Sequence, residues 1–285
     1  MKRKVFIYFT LIMLLGALFV PQSTFAAATS YRSVGSQAEY NGKPLEKTGN
    51  YYIWVSEKRD ENYNLIETIL YCSSDGKTVQ SLKRVKASKG QLAPMISTNG
   101  QTIYYGVYDS AGETCRIYKT TIEGKTHKLI KTVKGKFVGY YNNKLYYTKG
   151  READYIWVSD LYQYDLKTKK AKRIRKDFTV QGMYGRYILG TKRVLDVRNS
   201  VHYVIDLKTG KATQLPKALR SNTDGKKIYY IVYNSDENGF SLRQCSMKGK
   251  SIKKLKYYTS AAPYYIGHYS AYFMSAEDKL LKYAY

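Results

Sequence analysis

The chain has 285 residues and a formal net charge of +26, from 48 Lys and Arg against 22 Asp and Glu, and it holds 32 Tyr but only three Cys and three His. The cysteines, Cys72, Cys115 and Cys245, are odd in number and widely spaced, which argues against a disulfide framework. The histidines, His127, His202 and His268, have no ligand-spaced partner, so an ordinary zinc site is not expected.

Residues 1–28 read as a secretory signal peptide. Lys2, Arg3 and Lys4 form a charged start, Val5 to Val20 an apolar core, and Ala26, Ala27 and Ala28 a small-residue cleavage site. The apolar run is short for a membrane anchor, no cysteine follows it for lipid attachment, and the C-terminus carries neither an apolar tail nor a sorting signal. The mature chain, 29–285, is then expected to be exported, without an integral membrane span, as one large domain and a monomer.

Along that domain a strand pattern repeats. Its fullest form is Asp224 to Lys256, where Lys227–Tyr233 is a β-branched and aromatic run of the kind buried on both faces. The polar loop 234–239 reverses the chain, a second run follows over 240–247, and Gly249 marks the tight turn before a lysine-bearing third strand. The opening strand recurs around Tyr52, Tyr104, Tyr146, Ile188, Tyr229 and Phe273, spaced 52, 42, 42, 41 and 44 residues apart. The closing strand recurs at Leu82, Leu129, Ile174, Leu215 and Leu255. Each is preceded by a turn: Asp75-Gly76, Glu123-Gly124, Lys167-Thr168, Thr209-Gly210 and Lys248-Gly249. A period near 40 to 50 built of strands and turns, without a helix in each unit, is the signature of an all-β propeller. Tyrosine suits the wide gaps between its blades, because the ring fills space while the hydroxyl reaches polar groups at the edge. Cys72 and Cys245 each lie four residues before a turn glycine, and both read as buried small residues at equivalent positions.

There are six opening strands and five closing ones, and the last unit ends before a fourth strand can form. Residues 29–48 are left without a blade of their own. Pairing part of that segment with the last blade would remove an open edge, so the expectation is a six-bladed β-propeller, each blade of about four antiparallel strands, closed by strand exchange between the termini.

The Ile-Tyr-Tyr openings, the Asp-Gly-Lys turn and the Lys-Leu closes resemble the bacterial β-propeller domains related to the YWTD propeller of the low-density-lipoprotein receptor and to the TolB propeller. The resemblance covers nearly the whole mature chain. It implies a six-bladed propeller of unassigned biochemical function, common in exported proteins of Gram-positive bacteria. The YWTD tetrad itself is absent, Tyr146-Tyr147-Thr148-Lys149 being the nearest approach, so no ligand residue carries over.

No catalytic constellation is visible. Gly76-Lys77-Thr78, Gly124-Lys125-Thr126 and Gly249-Lys250-Ser251 imitate the end of a phosphate-binding loop but lack its first glycine, and no Gly-x-Ser-x-Gly elbow exists. Asn234, Asp236 and Asn238, followed by Gly239, are spaced like calcium ligands, and Asp60, Asn62 and Asn64 repeat the spacing in the first unit. Cys245 stands where a bidentate glutamate would be needed, so the loop reads as a turn and no cofactor is expected.

Charge carries the functional weight. Removing Lys2, Arg3 and Lys4 leaves +23, more than solubility asks for, and the bases gather in the outer hairpins and closing strands. Lys169, Lys170, Lys172, Arg173, Arg175 and Lys176 are the densest group and the candidate patch for an anionic polymer. The expected function is non-catalytic binding at the cell envelope, to an anionic wall polymer or a protein partner; nucleic acid is a poor candidate for an exported chain. The alternative is a carbohydrate-active enzyme, a glycosidase or lyase with its site on the axial face, which would need paired carboxylates there. The acids instead lie mostly in outer loops, at Asp60, Glu61, Asp109, Glu113, Glu152, Asp154, Asp236, Glu237, Glu277 and Asp278.

Overall fold

A computed structural model describes residues 47–48, 50–74, 78–109, 111–153, 156–192, 201–215, 218–259, 261–266, 270–275, 277 and 280–284. The expected signal peptide, segment 29–46, the turn Asp75-Gly76 and the residues Asp154, His268 and Asp278 lie outside the described residues.

The described chain forms six antiparallel sheets, each a simple meander. Sheet 1 comprises β1 (Lys47–Thr48), β2 (Tyr51–Arg59), β3 (Leu65–Ser73) and β4 (Gln80–Lys86). Sheet 2 comprises β5 (Gln91–Thr98), β6 (Thr102–Tyr108), β7 (Thr114–Thr121) and β8 (His127–Lys134). Sheet 3 follows with β9 (Lys136–Tyr141), β10 (Lys144–Ala153), β11 (Ile156–Asp165) and β12 (Ala171–Arg175). Sheet 4 has β13 (Phe178–Tyr184), β14 (Tyr187–Lys192), β15 (Val201–Asp206) and β16 (Ala212–Leu215), and sheet 5 has β17 (Ala218–Thr223), β18 (Lys227–Asn234), β19 (Gly239–Ser246) and β20 (Lys253–Tyr258). Sheet 6 has three strands, β21 (Ala261–Ile266), β22 (Ser270–Ser275) and β23 (Leu280–Ala284). No helix among the described residues is long and apolar enough to cross a membrane.

The opening strands of the sequence repeat are the second strands of these sheets, and the closing strands are the fourth. The second strands are buried along their middle, as Ile228 to Val232 of β18 and Ile103 to Val107 of β6 illustrate. That burial reflects contact on both faces. One side of sheet 5 packs Tyr230, Val232 and Cys245 against Tyr187 and Leu189 of sheet 4, and the other packs Tyr229, Ile231 and Leu242 against Ala271 and Phe273 of sheet 6. Sheets 1 and 2, 2 and 3, and 3 and 4 are joined in the same way. Tyrosines fill these seams as expected: the Tyr104 and Tyr140 rings stack 4.0 Å apart across sheets 2 and 3.

Polar links reinforce the seams at the outer edge. The turn from third to fourth strand lies against the fourth strand of the preceding sheet: Gln80 Nε2 donates to the Glu123 carbonyl (3.0 Å), Arg175 Nη2 to that of Gly210 (2.9 Å), and Thr213 Oγ1 to that of Met247 (2.9 Å). Where the chain returns from β8 to β9, Gly135 adopts a φ of 135° and a side chain there would collide with the Thr148 carbonyl, so only glycine fits.

Two expectations change. Lys47 and Thr48, placed by the sequence in a segment bound for the last blade, pair with Tyr52 and Tyr51 as the short first strand of sheet 1. Only two residues separate β1 from β2, so the antiparallel neighbour is the nearest pairing partner. Cys72 and Cys245 are free and buried, as expected, but they are not equivalent: Cys72 faces sheet 2, the next sheet, whereas Cys245 faces sheet 4, the preceding one. A difference of one residue in hairpin length turns a side chain to the opposite face. Burial lifts both thiols to about 11 and that of Cys115 to about 12, so all three stay protonated at neutral pH.

Candidate functional site

The fourth strands β4, β8, β12, β16 and β20 pair on one side only and form the outer edges of their sheets. They carry Arg84 and Lys86, Lys128 and Lys134, Lys172 and Arg173, and Lys253, Lys254 and Lys256, all exposed. β16 is the exception, with the sequence ATQL and no base. Edge lysines oppose strand addition by another chain, which accounts for one or two per edge.

The six residues of the densest patch are brought together on β12 and the turns at its two ends, but they do not play one part. Lys169, Lys170, Lys172 and Lys176 are exposed, and no ion pair to any of them is present among the described residues. Arg173 is held by a carboxylate: its Nη1 donates to Asp160 Oδ2 at 3.1 Å. Arg175 is half-buried and bridges to sheet 4 through the Gly210 carbonyl. Two of the six are thus engaged with neighbouring groups, although Arg173 remains exposed.

Asp160 is the centre of a polar cluster with no counterpart in the sequence pattern. It is 2 % exposed and accepts from Arg151 Nε (3.4 Å), Arg173 Nη1 and the Asp177 amide (3.0 Å), while Arg151 also pairs with Asp177. Burial alone would raise its pKa, but the Asp177 amide and the two arginines outweigh burial and hold the carboxyl below its ordinary value.

Turn geometry explains the rest of the patch. The segments 165–171 and 206–212 read DLKTKKA and DLKTGKA. In both, the aspartate amide donates to the carbonyl five residues on, and the aspartate carboxylate accepts turn amides. Lys169 occupies the position of Gly210 and takes a left-handed φ of 60° against 70° for the glycine.

Two of the outer-loop acids serve their own turns. Asp60 accepts from the amides of Asn62 and Asn64 and from Asn64 Nδ2, and Asp109 from Glu113 and Thr114. The Asn64 side chain holds Asp60 below the usual carboxylate value, and that of Thr114 does the same for Asp109.

The loop with calcium-like spacing, 234–239, rims a cavity of about 430 Å³ at the outer end of sheet 5. Its side-chain oxygens are engaged: Asn234 Oδ1 accepts from Arg243 Nη2 (3.3 Å), Asn238 Oδ1 from the Tyr233 hydroxyl (2.8 Å), and Asp236 Oδ1 from Ser235 Oγ (3.1 Å). Arg243 and Lys254 line the same cavity, which places positive charge where a cation would have to sit. Among the described residues no group of three or more His, Cys, Asp or Glu side chains is gathered to hold a metal. His127 is instead bonded through Nδ1 to the Tyr105 hydroxyl (2.8 Å), and burial lowers its pKa.

No protein-family model and no curated protein matches the sequence. Solved structures do resemble the fold. TolB from Acinetobacter baumannii is 16% identical with a TM-score of 0.52, covering 86% of this chain and 65% of its own. The β-propeller domain of the Trilobed protease from Pyrococcus furiosus, described as having an open velcro topology, is 13% identical with a TM-score of 0.55 over 85% of this chain and 80% of its own. The acylaminoacyl peptidase of Pyrococcus horikoshii matches at 13% identity and a TM-score of 0.57, over 91% of this chain but 46% of its own. The chain thus spans about two thirds of that TolB and less than half of the peptidase. The likeness is one of fold: an all-β, β-propeller-like arrangement of four-stranded antiparallel sheets.

Proposed function

We propose that this is an exported, non-catalytic binding protein whose basic outer edges hold it on anionic polymers of the cell envelope. On this reading residues 1–28 direct export, and 29–285 form a six-bladed propeller. Part of segment 29–46 supplies the fourth strand that sheet 6 lacks, beside β23. The ring then closes between sheets 6 and 1. Closure gives the face of sheet 1 that carries Tyr52, Trp54 and Tyr71, turned away from sheet 2, a neighbour like those of the other sheets.

The observation that carries the function is the placement of charge: exposed Lys and Arg on the outer strands of four sheets, with Lys169, Lys170, Lys172 and Lys176 free of ion pairs among the described residues. Binding is favoured over catalysis because none of the first strands, β1, β5, β9, β13, β17 and β21, contains an Asp or Glu. In a propeller these strands border the axis, where a glycosidase would need two carboxylates.

The test is retention of the mature protein on purified wall polymer across a salt series. Screening over a Debye length of about 8 Å at physiological ionic strength should release it. Reversing Lys169, Lys170, Lys172 and Lys176 to Glu, and sparing Arg173 and Arg175, should leave a folded protein that no longer binds at low salt. Equal retention of a folded variant would refute the proposal.

A further inference from the structure

Sheets 1, 2 and 3 share an internal pattern that sheet 5 matches but for one residue. In sheets 1, 2 and 3 the second and third strands meet in a directly opposed aromatic pair: Trp54 with Tyr71, on the face of sheet 1 turned away from sheet 2, and Tyr105 with Tyr118 and Tyr147 with Tyr162, on the faces toward the preceding sheet. Their rings are 5.4, 5.5 and 5.5 Å apart and stacked. In each case the third-strand member follows a bulge in the pairing with the fourth strand. Sheet 5 keeps the bulge and the tyrosine, but opposes Tyr230 with Arg243.

A guanidinium here is expensive unless something offsets it. Arg243 is half-buried, and no ion pair to it is present among the described residues. Its Nη2 reaches a neutral amide oxygen, that of Asn234, and its Nε is buried without a hydrogen-bond partner. The buried Tyr230 hydroxyl lies beside the same guanidinium but is neutral and supplies no counter-charge. The fold does not require this residue, since tyrosine fills the same place in three other sheets. A positive group retained in a seam without a counter-charge points to an anion supplied from outside.

Arg243 also lines the 430 Å³ cavity, whose other walls narrow the ligand. Lys254 adds a second positive group, but it already pairs with Glu237 at 3.7 Å and lies over the Tyr257 ring. Asp236 and Glu237 put two carboxylates on the rim. They would repel a dianionic phosphate and accept hydrogen bonds from a ligand's donors. We infer that this cavity binds a small carboxylate that also bears an amine or amide donor, an amino acid or the free end of a short peptide. The carboxylate lies on the Arg243 fork and the donors face Asp236 and Glu237.

Calorimetry at physiological salt, where the basic edges are screened, separates this site from the polymer-binding surface. The probes are alanine, dialanine, acetate and inorganic phosphate. Saturable binding of alanine or dialanine with a Kd below about 10 mM is expected, with acetate and phosphate weaker. Arg243→Tyr, which installs the residue of the other sheets, should fold at least as stably and bind at least tenfold more weakly. The wild-type titration does not depend on the variant folding. No saturable binding of either amino compound, tighter binding of phosphate or acetate, or undiminished binding by the folded variant would each overturn the assignment.

Discussion

Lys169 and Gly210 occupy the same position of two nearly identical turns, so exchanging their identities isolates a single backbone effect. Lys169 holds a φ of 60°, and its amide bonds the Asp165 carbonyl at 2.9 Å; Gly210 holds 70° and bonds the Asp206 carbonyl at 2.7 Å. A left-handed conformation costs a residue with a Cβ about 1–2 kcal/mol, and glycine's greater freedom in the unfolded chain returns about 0.5–1 kcal/mol of that. Lys169→Gly should therefore stabilise the protein by about 0.5–1 kcal/mol. In a domain of this size that raises the unfolding midpoint by about 1–4 °C. The reciprocal Gly210→Lys should cost a similar amount, because a Cβ there meets no atom within 4 Å and only the backbone is strained. Urea titrations of both variants give the comparison. Destabilisation by Lys169→Gly, or no cost for Gly210→Lys, would refute the reasoning, since neither exchange removes an ion pair or a packed side chain.

Asp160→Asn should destabilise by about 1–3 kcal/mol at neutral pH by leaving Arg151 and Arg173 without their shared acceptor, the range being modest because both arginines are partly exposed. Because its folded pKa is depressed, the carboxylate's contribution is present above its unfolded value near 4 and is lost as pH falls through the lower folded value. The wild-type advantage in urea should shrink on acidification, and a pH-independent difference would show that the cluster is not held by charge. Gly135→Ala should cost more than about 1 kcal/mol from the strained φ and the clash with the Thr148 carbonyl, read as a lower midpoint in thermal unfolding. Deleting 29–46 should lower the midpoint well beyond the change expected of a frayed tail, and an unchanged midpoint would remove the N-terminal strand from the closure of the ring.

The sequence by itself determined the all-β architecture, the repeat and the edges on which the bases sit. These follow from local rules: β-branched and aromatic runs such as 227–233 exclude a helical period, and the turn glycines at 124, 210 and 249 take the left-handed φ that their positions require. It also anticipated tyrosine as the filler of the seams. The first strands were not legible, because β5, β9, β13 and β17 share no residue pattern and are defined only by what they pair with. Nor was the division of labour in the basic patch, since Lys172 and Arg173 alternate faces as successive strand residues and only the pairing of β12 with β11 puts Asp160 within reach of the second. Arg243 shows how close the two levels came. Tyr118 and Arg243 each lie six residues before a turn glycine, but alignment on Cys72 and Cys245 shifts the register by one and hides the substitution. Which face a strand residue occupies depends on pairing across tens of residues, and a single added residue in a hairpin inverts it. That decision belongs to the tertiary structure, and with it the unpaired guanidinium and the cavity beside it.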